Sequence, residues 1–71
     1  MTVKIGTPPA MKTPETITAI VIIEDGVPPF TYMWGNGTTH VDCVLPNEPQ
    51  TIEVTVTDLD SNVATDSLII A

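Results

Sequence analysis

The chain has 71 residues and carries 2 Lys and Arg against 9 Asp and Glu, a net charge of −7. So short a chain holds one domain and buries only about 60% of the surface it exposes unfolded, which leaves little for a deep catalytic cleft. With so few cations, no stretch can neutralise a phosphate backbone or settle on an anionic membrane, so neither nucleic acid nor membrane is an expected partner.

An apolar content of 42% against 15% charged predicts a folded protein. The residue types are those of a β-protein: Thr, Val and Ile dominate, and seven Pro and four Gly punctuate short runs. No window keeps apolar residues at helical spacing for three turns, so no helix of consequence is expected.

Residues 1–5 predict a short strand with Val3 and Ile5 on one face, and 6–14 an extended Pro-rich edge segment or loop. Thr16 to Glu24 is the longest predicted strand, broken by Asp25-Gly26-Val27-Pro28-Pro29. Phe30 to Trp34 alternates, with Phe30, Tyr32 and Trp34 pointing one way and Thr31 and Met33 the other. Gly35-Asn36-Gly37-Thr38 has the chemistry of a tight hairpin turn. Thr39 to Leu45 predicts a strand with Val41, Cys43 and Leu45 on one face, followed by a loop at Pro46-Asn47-Glu48-Pro49. Gln50 to Thr57 is the clearest strand, with Ile52, Val54 and Val56 inward and Glu53, Thr55 and Thr57 outward. Asp58 to Asn62 turns the chain, and Val63 to Ile70 returns.

Six or seven short antiparallel strands at roughly ten-residue spacing predict an all-β, immunoglobulin-like Greek-key sandwich. The chain reads as a single domain: 1–15 an N-terminal strand and Pro-rich edge segment, 16–70 the core sandwich. The predicted core is Ile17, Val21, Ile23, Tyr32, Trp34, Val41, Cys43, Leu45, Ile52, Val54, Val56, Leu68 and Ile70, with Trp34 its packing centre.

Two segments carry a likeness beyond strand counting. Gly26-Val27-Pro28-Pro29-Phe30-Thr31-Tyr32-Met33-Trp34-Gly35-Asn36-Gly37 resembles a stretch of the PKD-like repeats of bacterial gliding-type adhesins. Gln50-Thr51-Ile52-Glu53-Val54-Thr55-Val56-Thr57-Asp58 with Ala64-Thr65-Asp66-Ser67-Leu68-Ile69-Ile70 is similar to their closing strands. The likeness spans about residues 16–70. The chain departs from it at Ile52, where the family has a Tyr, and at Pro46 to Pro49, where the family has a shorter, Gly-bearing connection. The resemblance implies an adhesive or structural module that brings no active-site residues with it.

The chemistry-bearing residues each have a plainer explanation. One Cys rules out an internal disulfide, and one Cys with one His cannot build the usual zinc site. His40 and Cys43 fall on opposite faces of a strand, so the imidazole cannot take the thiol proton; Cys43 reads as a small core residue. Asp58-Leu59-Asp60-Ser61-Asn62 has the acid-x-acid-x-amide opening of a calcium loop. Val63 and Ile69, however, stand where an EF-hand needs Gly and a bidentate Glu. Asp58, Asp60 and Asn62, helped by Asp25 or Asp66, make a weak calcium candidate, and an acidic turn explains them without a metal. Asn36-Gly37-Thr38 matches a glycosylation acceptor, but a tight turn explains it better. No catalytic group or cofactor site is expected, and the chain is not expected to be an enzyme.

The outward positions of the longest strand are less ordinary. With Ile17, Ala19, Val21 and Ile23 inward, as the resemblance aligns them, Ile20 and Ile22 face outward and Val44 lies on a neighbouring strand. A solvated face reads polar, so these three predict an apolar contact patch, unless long side chains or residues 6–14 fold over it. A mean hydropathy of +0.25 at a pI near 4.1 suits an acidic protein kept soluble while an apolar face awaits a neighbour.

The N-terminus lacks the basic start and apolar run of a secretory signal, and the run Ala19 to Ile23 is far short of the roughly 20 residues that cross a bilayer. Two expectations follow. One is a small complete gene product made in a host cytoplasm, an accessory subunit of a bacteriophage virion such as a capsid decoration, docking on a shell or on its own copies. The alternative is one repeat of an exported surface adhesin at the cell surface, binding glycan or protein.

Overall fold

A computed structural model describes all residues, Met1 to Ala71. Six strands form: β1 (Thr2–Gly6), β2 (Thr16–Glu24), β3 (Thr31–Trp34), β4 (Asp42–Pro46), β5 (Gln50–Thr57) and β6 (Val63–Ile70). The only helical turn is a 3-10 turn at Pro9–Met11. Two antiparallel three-stranded sheets result, one in the order β1-β2-β4 and the other β3-β5-β6. The chain therefore crosses between sheets after β2, after β3 and after β4. This is immunoglobulin-type connectivity with the first sheet lacking its fourth strand.

The side-chain period of two does the sorting. On β5, Ile52, Val54 and Val56 are buried; on β2, Ile17, Ala19 and Val21 are buried from the facing sheet. Val3, Trp34, Cys43, Leu45 and Ile70 complete the core, with Met1, Ile5, Ile23, Phe30, Tyr32 and Leu68 packed at its margin. Trp34 is the largest fully buried side chain, and its indole Nε1–H donates to the His40 carbonyl at 2.8 Å. The bond satisfies the ring's single polar group, which burial would otherwise leave without a partner.

Val41 departs from expectation: it is 43% exposed, not core. The strand expected from Thr39 begins only at Asp42, because β3 and β4 lie in different sheets and residues 38–41 are spent crossing between them. Backbone bonds pin that crossing: Trp34 N–H to the Thr38 carbonyl and Val21 N–H to the Val41 carbonyl, both 2.9 Å. For the same reason Gly35-Asn36-Gly37-Thr38 is a tight turn but not a hairpin. Gly37 donates back to the Trp34 carbonyl and itself holds the positive φ of 88°.

Candidate functional site

Strand β2 is central in its sheet, with β1 on one side and β4 on the other. Its register places Lys4 opposite Ile22 and Gly6 opposite Ile20 on one edge, and Asp42 opposite Ile20 and Val44 opposite Thr18 on the other. Ile20 and Ile22 are therefore successive outward residues of one strand, and Val44 is a diagonal neighbour of Ile20 within side-chain reach. Ile22 is 51% exposed and Val44 63% exposed, whereas Ile20 is half-buried and Thr18 buried. The patch is thus narrower than the sequence suggests. Its exposed apolar area belongs to Ile22 and Val44, joined through Ile20.

Ile22 leans toward β1. A β-carbon built on Gly6 would lie 3.1 Å from its Cδ1, so the absent side chain of Gly6 leaves the space into which Ile22 lies. Beside it, Thr2, Lys4, Ile22 and Glu24 enclose a shallow depression of about 200 Å³. The rim carries charges of both signs: Lys4 and Glu24 here, Asp42 beyond Ile20.

The loop end is built differently. Asp58 is buried, and its carboxylate accepts from Asn62 N–H at 2.9 Å, from Asn62 Nδ2 at 3.1 Å and from Val27 N–H at 3.5 Å. Leu59 N–H in turn reaches the Val27 carbonyl at 2.9 Å, so the β2–β3 and β5–β6 loops are stitched together. Burial pushes the Asp58 carboxyl up, but the hydrogen bonds from Asn62, Val27 and Asp60 outweigh it and hold the group below its ordinary value. The carboxylate oxygens that a cation would need are thus occupied by N–H donors. Asp60 and Asn62 are exposed, and no three His, Cys, Asp or Glu side chains converge there or elsewhere.

Cys43 is buried, and its sulfur lies 3.2 Å from Asn36 Nδ2 and 3.7 Å from Thr38 Oγ1. His40 is exposed in the crossing segment, and its carbonyl serves the indole. The Asn36 side chain is engaged within the fold, also accepting from Thr38 N–H at 3.1 Å.

Two residues have roles that sequence reading missed. Asp58 ties two loops together; an Asp opening a turn is the signal, since its short carboxylate reaches the amides that follow. Asp66 accepts from Ile5 N–H at 2.9 Å and joins the edges of the two sheets. Its signal is a charge at the inward parity of β6, between Ala64 and Leu68. Comparisons with protein families, curated proteins and solved structures return no match for this chain.

Proposed function

We propose that this protein is a non-enzymatic, immunoglobulin-like structural module that docks on a larger protein assembly through the outer face of β1-β2-β4, as an accessory subunit of a virion such as a capsid decoration. The observation that carries the reading is the continuity of Ile22, Ile20 and Val44 on a face with a mixed-charge rim. Seating that face removes from water about half of one branched side chain and most of another, roughly 1–2 kcal/mol apiece. The net charge of −7 keeps the undocked protein soluble.

The test is co-purification from the natural source. The chain should travel with a particle, and Ile22→Lys combined with Val44→Lys should release it while leaving the melting temperature within a few degrees. A double variant that stays on the particle removes the face from the account.

The likeness carried by Gly26 to Gly37 favours a second reading, a repeat of an exported adhesin that binds glycan or protein. Immunoglobulin-like repeats found in the same reading frame on either side of the chain would decide for it.

A further inference from the structure

Each sheet has two edges, and three of the four are blunted. Strand β3 has four residues and follows Pro28-Pro29, β4 has five and ends at Pro46, and β1 has five, carries Lys4 and leads into Pro8-Pro9. Brevity, Pro and Lys are the usual protections of a strand edge. Strand β6 has eight residues with no Pro, Gly, Lys or Arg, and its one protection is the inward Asp66 carboxylate near its middle.

The hydrogen-bond alternation shows which groups β6 leaves open. Gly35 N–H donates to the Glu53 carbonyl at 2.8 Å, so odd-numbered residues of β5 bond toward β3 and even-numbered ones toward β6. Ile52 opposite Leu68 and Val54 opposite Asp66 are then the bonded pairs, and Thr65, Ser67 and Ile69 turn their N–H and C=O groups to the free edge. At Asp66 the carboxylate accepts from Ile5 N–H and holds β1 beside this edge, while the outward backbone groups of Thr65, Ser67 and Ile69 have no backbone partner. Beside the second half of β6 lies an open cleft of about 270 Å³, lined by Ile17, Leu68, Ile69, Ile70 and Ala71 together with Thr7, Lys12 and Asn47. Ile69, at 75%, is the most exposed large apolar side chain of the molecule.

We propose that the β6 edge is a strand acceptor. It pairs through Thr65, Ser67 and Ile69 with an extended segment of a partner protein, whose inward apolar side chains enter the cleft. The unpaired amides and carbonyls specify an extended backbone, and the aliphatic part of the lining, Ile17, Leu68 and Ile70, favours apolar side chains at alternate positions, beside polar contacts at Thr7, Lys12 and Asn47. A second copy of this chain does not fit. Its own β6 would bring Asp66 to the cleft side of the pair, and antiparallel pairing about the strand centre would set two Asp66 carboxylates near each other on chains each carrying −7.

The probe is a synthetic peptide of alternating valine and threonine with a glutamate at each end, so that non-specific attraction to an acidic protein cannot produce binding. A matched peptide with one central proline is the control. In amide NMR titrations of the whole chain, the Thr65, Ser67 and Ile69 N–H resonances should move downfield and exchange at least tenfold more slowly, and the control peptide should do neither. Ser67→Pro removes one outward N–H, a substitution an edge tolerates, and should weaken binding at least tenfold. Should that variant fail to fold, Ile69→Lys, at an exposed side chain, should still weaken binding about two- to fivefold. No shift at millimolar peptide overturns the proposal, as do shifts gathered around Ile22 and Val44. Dimerisation of the free chain that Ser67→Pro abolishes also overturns it, because the occupant would then be a second copy.

Discussion

The two sheets solve the same problem inward and differ outward. Strand β5 at the centre of one and β2 at the centre of the other both bury Val, Ile or Ala at alternate positions. Outward, β5 presents Thr51, Glu53, Thr55 and Thr57, whereas β2 presents Thr16, Thr18, Ile20, Ile22 and Glu24. The β5 face has exposed aliphatics too, at Met33, Val63 and Ile69, but the register sets each beside a threonine, so they stay separate. On the β2 face Ile22, Ile20 and Val44 run together. Burial of the inner face is demanded by folding. The outer face is free of that demand, and its aliphatic run is the feature on which the proposed docking rests.

Both sheets bury their inner faces in one shared core, and the largest expected effect tests that. Trp34→Ala removes the fully buried indole and its bond to the His40 carbonyl, and should cost about 3–5 kcal/mol. A chain of this length has roughly 4–11 kcal/mol in all, so the variant should be largely unfolded or melt at least about 12 °C lower. An unchanged thermal midpoint would mean that the sheets are not held together at Trp34.

How much of this was legible depends on the strand. Gln50 to Thr57 alternates so cleanly that its faces follow from the sequence alone. Thr16 to Glu24 is apolar at both parities, so alternation cannot say which set goes in; the inward set came from the resemblance of the surrounding segments, and burial of Ile17, Ala19 and Val21 agrees with it. Val41 escapes the sequence because alternation through Cys43 and Leu45 extends backward without limit, and only the sheet crossing ends it. Of the outer face of β1-β2-β4, the outward direction of Ile20, Ile22 and Val44 was legible but the shielding of Ile20 was not. The β6 edge was not legible at all, since which amides stay unpaired depends on neighbours distant in sequence.

The next effect concerns the loop end. A β-carbon on Gly26 would fall 2.5 Å from Phe30 Cε1, 2.8 Å from its Cζ and 3.2 Å from Ile23 Cγ2. Phe30 packs against the core and cannot simply swing away, so Gly26→Ala should destabilise by about 1–3 kcal/mol, the usual cost of overpacking. Chemical denaturation should show an earlier midpoint with an unchanged slope. If Gly26→Ala is neutral, Phe30 is loose and the loop is not fixed to the sandwich.

Asp58 sharpens the same point through pH. Its carboxyl is held below the ordinary value by N–H donors from two loops, so the folded state favours the charged form. The stabilisation is complete above the unfolded value of about 3.9 and is lost as pH falls through the lower folded value. Asp58→Asn should therefore melt below the wild type at pH 7, and the gap should narrow as pH falls below about 4. A gap that is constant with pH would assign the loss to altered packing and not to the carboxylate.

The smallest effect separates the two glycines and returns to the outer face. Gly6→Ala brings a methyl to 3.1 Å from Ile22 Cδ1, a closer contact than most, but here the neighbour is the end of a half-exposed side chain. Ile22 can rotate toward water where Phe30 cannot. The lost freedom of the unfolded chain contributes about 0.4–1 kcal/mol in favour of alanine, and displacing Ile22 offsets part of it, so the net change should lie within about 0.5 kcal/mol of zero. The informative readout is therefore not stability but docking: moving Ile22 reshapes the patch without adding charge. Co-purification of Gly6→Ala with the proposed assembly should weaken while its melting temperature holds. If docking is untouched, the partner is insensitive to how Ile22 sits, and the contact rests on Val44 and the rim.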